Sequence, residues 1–274
     1  MRLKDAAHKF DTTQATDPYG SGSINIQFEP LLYNKIDGVA VKKRQISTFP
    51  ETIIPKRRVL VIDGHPYLVG YASPDVWNNE TIRTNYLVQG ATGVAGVTTI
   101  SKELAGTTRQ KAYAALTFAK YLPDTEDSSR YPPQYEIFFS ITEDVMADSL
   151  LFLNDSYFLV KQSYISDSGL LVALSNKVDD PFESASFSDR TYDPLTDSNS
   201  SVDTTVPVFR IKWSEHFKYL SKASATYERG DIQILMLKTK SPVAADLVTL
   251  SDGVWRIISV QDEGALWSCH ARRA

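Results

Sequence analysis

The chain is poor in the residues that carry chemistry. Cys269 is the only cysteine among 274 residues, so no internal disulfide can form and folding in a reducing compartment is expected. The four histidines (His8, His65, His216 and His270) show no His-x-x-x-His or His-Glu-x-x-His spacing, and Cys-x-x-Cys is absent. A metal site therefore has no support in the sequence. The glycine-rich stretch GATGVAG, residues 90–96, lacks the Gly-Lys-Ser/Thr of a phosphate loop and reads as a hinge. No apolar run nears the roughly 20 residues that cross a bilayer as a helix, so cytosolic synthesis is expected. The net charge of −4 and pI near 5.6 leave too little positive charge for tight, non-specific binding to a phosphate backbone.

Weaker signals lead to the same place. Cys269 and His270 are neighbours on a predicted strand, where adjacent side chains point to opposite faces, so they make a poor nucleophile–base pair. The carboxylates of 179–203 match no EF-hand spacing, and Arg229-Gly230-Asp231 reads as a turn more readily than as an adhesion tripeptide. Lys42-Lys43-Arg44, Lys56-Arg57-Arg58 and Arg272-Arg273 read as charges that guard exposed strand edges or meet other proteins. No catalytic, cofactor-binding or metal-binding residue is singled out, and neither a cofactor nor an enzymatic activity is expected.

What is present is β pattern. In Ser23–Phe28, Ile24, Ile26 and Phe28 alternate with polar residues, and Phe209, Ile211 and Trp213 alternate with Arg210 and Lys212. Aromatics in such positions, Trp213 and Trp255 among them, are expected in the core. Residues 1–22 are polar and read as an extended arm. Leu104, Ala112, Ala115, Leu116 and Ala119 recur at roughly helical spacing, which predicts one helix near 100–122, ended by Pro123. The segment 179–207 is rich in Ser, Asp and Thr without a periodic apolar face, and reads as a long acidic loop dispensable to the core. Two units follow: residues 1–122, with the arm and the helix, and 123–274, a duplicated β unit carrying the loop.

The duplication rests on a repeated phrase. Ile137-Phe138-Phe139 parallels Ile234-Leu235-Met236, and Ser149–Leu153 parallels Asp246–Leu250. Asn154-Asp155 stands for Ser251-Asp252, Tyr157–Val160 for Trp255–Ile258, and Asp167-Ser168-Gly169 for Asp262-Glu263-Gly264. A fainter copy runs through Val59–Ile62, Asp63-Gly64, Tyr67–Val69 and Tyr86–Val88. Each copy is strand, turn, aromatic-led strand, turn, strand. The expected fold class is mainly β, with repeated antiparallel β-meander, β-barrel or sandwich units, one helix and long polar loops.

The last copy resembles the C-terminus of bacteriophage head–tail joining (head-closure) proteins. Ala245-Asp246-Leu247-Val248, then Asp252-Gly253 with Trp255, Ile257, Ser259 and Val260, then Asp262-Glu263-Gly264 carry that cadence. The resemblance implies a virion structural protein of the phage neck, a homo-oligomeric ring around the DNA channel that joins the portal side to the tail as adaptor, stopper or tail-completion component. It implies partners among neck, portal or tail proteins, and double-stranded DNA that passes without specific binding. A tail-tube or baseplate hub component is the near alternative. A non-viral carbohydrate-binding or adhesion module is the distant one.

Overall fold

A computed structural model describes residues 13–20, 22–29, 33–36, 39–42, 44–120, 134–179, 181–193, 198–212 and 230–274. Strands dominate. β1 (Thr13–Thr16) and β2 (Ser23–Glu29) are followed by a separate hairpin, β3 (Tyr33–Ile36) and β4 (Val39–Lys42). β5 (Arg44–Thr48), β6 (Val59–Ile62), β7 (His65–Trp77) and β8 (Glu80–Gly90) complete a closed barrel in the order β1-β2-β5-β8-β7-β6. β9 (Gly93–Thr99), β10 (Gln110–Lys120), β11 (Gln134–Phe139), β12 (Ser149–Leu153), β13 (Ser156–Ile165) and β14 (Leu171–Val178) form a second. β15 (Phe182–Asp193), β16 (Ser198–Lys212), β17 (Ile232–Leu237), β18 (Leu247–Leu250), β19 (Gly253–Glu263) and β20 (Leu266–Arg273) form a third.

The three barrels share one topology. In each, strands one to three form a meander, strands four to six form another, the third pairs with the sixth, and the fourth pairs with the first. Every pairing is antiparallel, so each barrel closes with no free edge among its described strands.

The pairing register extends this identity to single residues. Cross-strand partners Leu60–Tyr67, Leu151–Phe158 and Val248–Trp255 occupy the same place in the three barrels. Two residues on, Val69, Val160 and Ile257 precede the register shift between fifth and sixth strands, so all three barrels carry an irregularity at one point. Ile46, Ile137 and Ile234 are equivalent on the third strand, as are Tyr86, Ala173 and Cys269 on the sixth. On the first strand the equivalent residue is alanine each time, Ala15, Ala95 and Ala185, all fully buried. All these side chains belong to the three interior clusters. A small closed barrel has room for only so many large residues per layer, and the repeated alanine sets the balance against its larger neighbours.

The repeat read from the sequence therefore covers the third to sixth strands of the last two barrels and the fourth to sixth of the first. One pairing within it slips by a residue. Phe158, not Tyr157, is the counterpart of Trp255, because Leu151–Phe158 and Val248–Trp255 are the matched pairs. A slip of one exchanges the faces: Phe158 is inside its barrel, whereas Tyr157 lies on the outside.

Other expectations need correction. The described residues of 100–122, up to Lys120, form the short helix α1 (Ile100–Leu104), capped by the Thr99 hydroxyl, and then β10. Ala112, Ala114 and Ala115 mimic a helical stripe, but the first two face the barrel interior and the third faces the neighbouring barrel. The presumed hinge is β9, and residues 13–16 of the presumed arm are β1. The segment 179–207 contains most of β15 and β16, which pair from Phe182–Phe209 out to Asp193–Ser198. Only Ser186 and Phe187 of β15 also pair with β18, so the outer half is a two-stranded ribbon projecting from its barrel. Its described residues are paired strands and not a loop. The boundary at 122/123 falls between β10 and β11, inside the second barrel. Trp213, His8, His216, Arg229 and the polar connection at 123–133 lie outside the described residues.

Trp255 is enclosed by the third barrel, as its alternation suggests. Trp255→Ala is expected to cost about 3–5 kcal/mol, the range for a fully buried aromatic. Equilibrium denaturation by urea, followed by circular dichroism, measures it.

Candidate interaction surfaces

With the barrel interiors filled, the sites available to a partner lie between barrels and on their outsides. Two joints link the three units. At the first, Val59 and Leu68 on the outer face of strands four and five pack against Ala115, Phe138 and Leu170 of the second barrel. At the second, Leu150 and Leu159, which hold the same places in the second barrel, pack against Phe209, Leu235 and Leu266 of the third. The receiving residues correspond too: Ala115–Phe138 and Phe209–Leu235 are matched cross-strand pairs on strands two and three. One mode of docking is used twice.

The first joint is the closer of the two. The Tyr71 amide donates to the Ser168 carbonyl at 2.9 Å, joining β7 to the turn between β13 and β14. A Cβ at Gly70 would collide with that same carbonyl, and one at Gly169 with the Tyr71 ring. Gly169 also has φ +78, where side chains are strained. The Arg58 guanidinium donates to the Gly70 carbonyl at 2.8 Å. Alongside, Tyr19 meets Tyr113 edge-on with 5.6 Å between ring centroids, and Arg57 lies over the Tyr19 ring. Burial pushes the nearby Glu143 carboxyl up against the pull of Arg57 and Gln110.

The second joint is wider and aromatic. Phe152, Tyr157, Phe182 and Phe209 stack in a row with successive centroids 5.0, 5.3 and 5.1 Å apart. Arg109 covers the Phe152 end at 4.4 Å and donates to the Tyr157 hydroxyl at 2.9 Å. Glu103 of α1 pairs with Arg109 and holds its guanidinium above the ordinary range. Beside this joint lies a cleft of about 480 Å³, walled by α1, β9, β17 and the turn after β19. Gln233 lines it from a fully buried position; its amide nitrogen donates to the Ser268 hydroxyl at 2.7 Å and its oxygen has no partner. Burial, with the charge of Asp148 adding to it, raises the Glu263 carboxyl on the same wall against a Ser268 hydrogen bond.

The residues weighed for chemistry are dispersed. Cys269 lies in the third barrel's core, and burial with the nearby Asp246 charge pushes its thiol up to about 12, far from a thiolate at neutral pH. His270 is on the opposite face, where its Nε2 lies 2.7 Å from Asp231. Arg272 grips the same carboxylate with two hydrogen bonds of 2.9 and 3.0 Å. Asp231 is thus buried in an ion-pair cluster and is not displayed as part of an adhesion tripeptide. His65 is exposed at the start of β7. Among the described residues no group of three or more His, Cys, Asp or Glu side chains is arranged to hold a metal.

The basic clusters also serve the fold. Arg44 bonds the Tyr67 hydroxyl and lies over Phe28, Arg57 and Arg58 brace the first joint, and Arg273 donates to the Asp252 carbonyl. The arginines named here guard no barrel edge, because the barrels are closed, whereas Lys42 ends β4 of the open two-stranded β3–β4 sheet. A cluster absent from the sequence reading centres on Arg210, which bridges Glu183 at 3.1 Å and Asp252 at 2.6 Å under the Trp255 ring. Its members are far apart in the chain, so no local spacing announces them.

No protein-family model, curated protein or solved structure matches the chain. No described helix is long and apolar enough to cross a membrane.

Two outcomes follow from this geometry. Gly70→Ala must push two backbones apart and is expected to destabilise by about 2–3 kcal/mol, as overpacking does. Gly22→Ala, with nothing near its Cβ position, should be neutral in the same denaturation assay. The second concerns acid. Arg210 draws Asp252 below its usual range; burial raises Glu183, but the Ser251 amide and hydroxyl and Arg210 outweigh it and draw it down as well. The stability these carboxylates add is present above their unfolded values of about 4 and is lost as pH falls through the lower folded ones. Glu143 and Glu263, raised by burial, act in the opposite sense, so the comparison is between variants. Urea titrations between neutral and acid pH should show a shallower loss in Asp252→Asn than in the unsubstituted chain.

Proposed function

We propose that this chain is a virion structural protein of the phage head–tail interface, a brick of a homo-oligomeric ring that joins the portal side to the tail around the DNA channel. The observation that carries the reading is serial docking: one barrel design occurs three times and meets its successor through the same faces. A protein constructed this way is made to meet copies of its own kind. The cadence resembling head-closure proteins falls on strands four to six of the third barrel, the same meander that supplies the docking face in the other two.

Two further features support an assembly role. The β15–β16 ribbon extends beyond its barrel, paired only with itself. A two-stranded ribbon is marginal alone in water and gains stability by lying against a neighbour. The acidic net charge disfavours adhesion to DNA, which suits a channel through which a duplex slides.

The reading is tested in particles. Mass spectrometry of purified phage from the genome that encodes the chain should find it in the virion. Deleting its gene should leave filled heads and free tails that do not join. Absence from the particle, or normal particles without the gene, overturns the reading.

A further inference from the structure

The cleft beside the second joint is acidic, and one wall holds a buried acceptor that no described residue satisfies. Asp144 and Asp148 reach the cleft from the connection between β11 and β12, and Glu263 from the end of β19 in the third barrel. The Asp148 charge raises the Glu263 carboxyl, so these two carboxylates feel each other across the joint. None of the three is in an ion pair among the described residues. Lys102 is the one basic residue on the walls, and it pairs with none of them.

Gln233 is the independent observation. It is 1% exposed on the wall of the same cleft, and its amide oxygen has no hydrogen-bond partner. A relay fixes which way the amide is turned. Its nitrogen donates to the Ser268 hydroxyl at 2.7 Å, and that hydroxyl donates in turn to the Glu263 carboxylate. Turning the amide over would set its oxygen against a hydroxyl whose proton is already committed. A buried acceptor without a donor carries a desolvation cost that a ligand N–H would relieve.

We propose that this cleft binds an aliphatic amine. Its ammonium group sits between Asp148 and Glu263 with an N–H toward the Gln233 oxygen, and its methylene stem lies along Leu159, Ile211, Leu235 and Leu266. Charge selects a cation, because three carboxylates against one lysine leave the walls net negative. A metal ion is a poor fit: no three acidic, histidine or cysteine side chains among the described residues are grouped closely enough to hold one. An organic cation spreads its donors over a wider span, and the apolar side of the cleft takes its stem. A volume of about 480 Å³ is within the range of small-molecule sites. A free alkylamine and a lysine side chain from another protein present the same chemistry. Because Asp148 belongs to the second barrel and Glu263 to the third, the bound cation fastens the second joint. The inference stands apart from the assembly reading.

The test uses the full chain and isothermal titration calorimetry. Pentylamine and cadaverine should bind about tenfold or more tighter than pentanol, which has the same stem without the charge. Asp148→Asn with Glu263→Gln should weaken amine binding by about tenfold or more while circular dichroism and pentanol binding stay as before. Both positions are exposed, and asparagine accepts the positive φ of Asp148, so the doubly substituted chain should fold. N-acetyl-lysine methylamide separates the two sources: binding as tight as that of pentylamine points to a lysine side chain, and weaker binding points to a free amine. Either result supports the site. No heat and no rise in melting temperature with either amine at millimolar concentration would overturn the inference. So would equal binding of pentanol, tighter binding of calcium or magnesium ions than of the amines, or amine binding unmoved by the double substitution.

Discussion

Closure of a six-stranded barrel is the constraint from which the rest of this structure follows. Around each barrel wall every strand has two neighbours, so the backbone hydrogen bonds there are met inside one unit; unpaired edges remain in the β3–β4 hairpin and in the outer half of the β15–β16 ribbon. The interior must then be filled to crystal-like density by whatever six strands supply. The solution recurs: isoleucine on the third strand, an aromatic on the fifth, alanine on the first, and an irregularity after Val69, Val160 or Ile257 that turns the fifth strand around its barrel. Closed units cannot associate by adding strands. They must associate through the outsides of their sheets, which is why the joints are side-chain contacts between faces.

This separation of inside from outside explains what the sequence disclosed. Tight turns were legible because their backbone needs are local. Asp63-Gly64 and Asn154-Asp155 both adopt the positive φ that a two-residue hairpin demands, and such pairs between apolar runs are a strong signal. Strands four to six were therefore found in all three barrels. The one-residue slip at Tyr157 arose because both faces of β13 are apolar there, one toward the core and one toward the next barrel. Where both faces are buried, alternation no longer reports which is which.

The failures have the same origin. β10 is alanine-rich because Ala112 and Ala114 share a crowded interior while Ala115 admits Val59 and Leu68 at the joint. Small residues required on both sides of a strand look like helix-forming residues when read along the chain. The β15–β16 ribbon failed for the opposite reason: beyond Phe187 it pairs only with itself and never gains an apolar stripe. The Arg210 cluster, the inter-barrel cleft and the Gly70–Ser168 approach were invisible, since each joins segments that only the closed topology brings together.

The polarity of the faces sorts the contacts by permanence. Val59 and Leu68, Leu150 and Leu159 have partners tethered in the same chain, so their joints form with the fold and need no solubility when apart. A face that spends part of its life in water is under a different constraint, because a contiguous apolar patch invites indiscriminate association. Where the inner faces carry Leu68 and Leu159, the third carries the exposed Arg256, whose charge keeps that face compatible with water. Chains of stacked repeats generally need polar outer faces for the same reason.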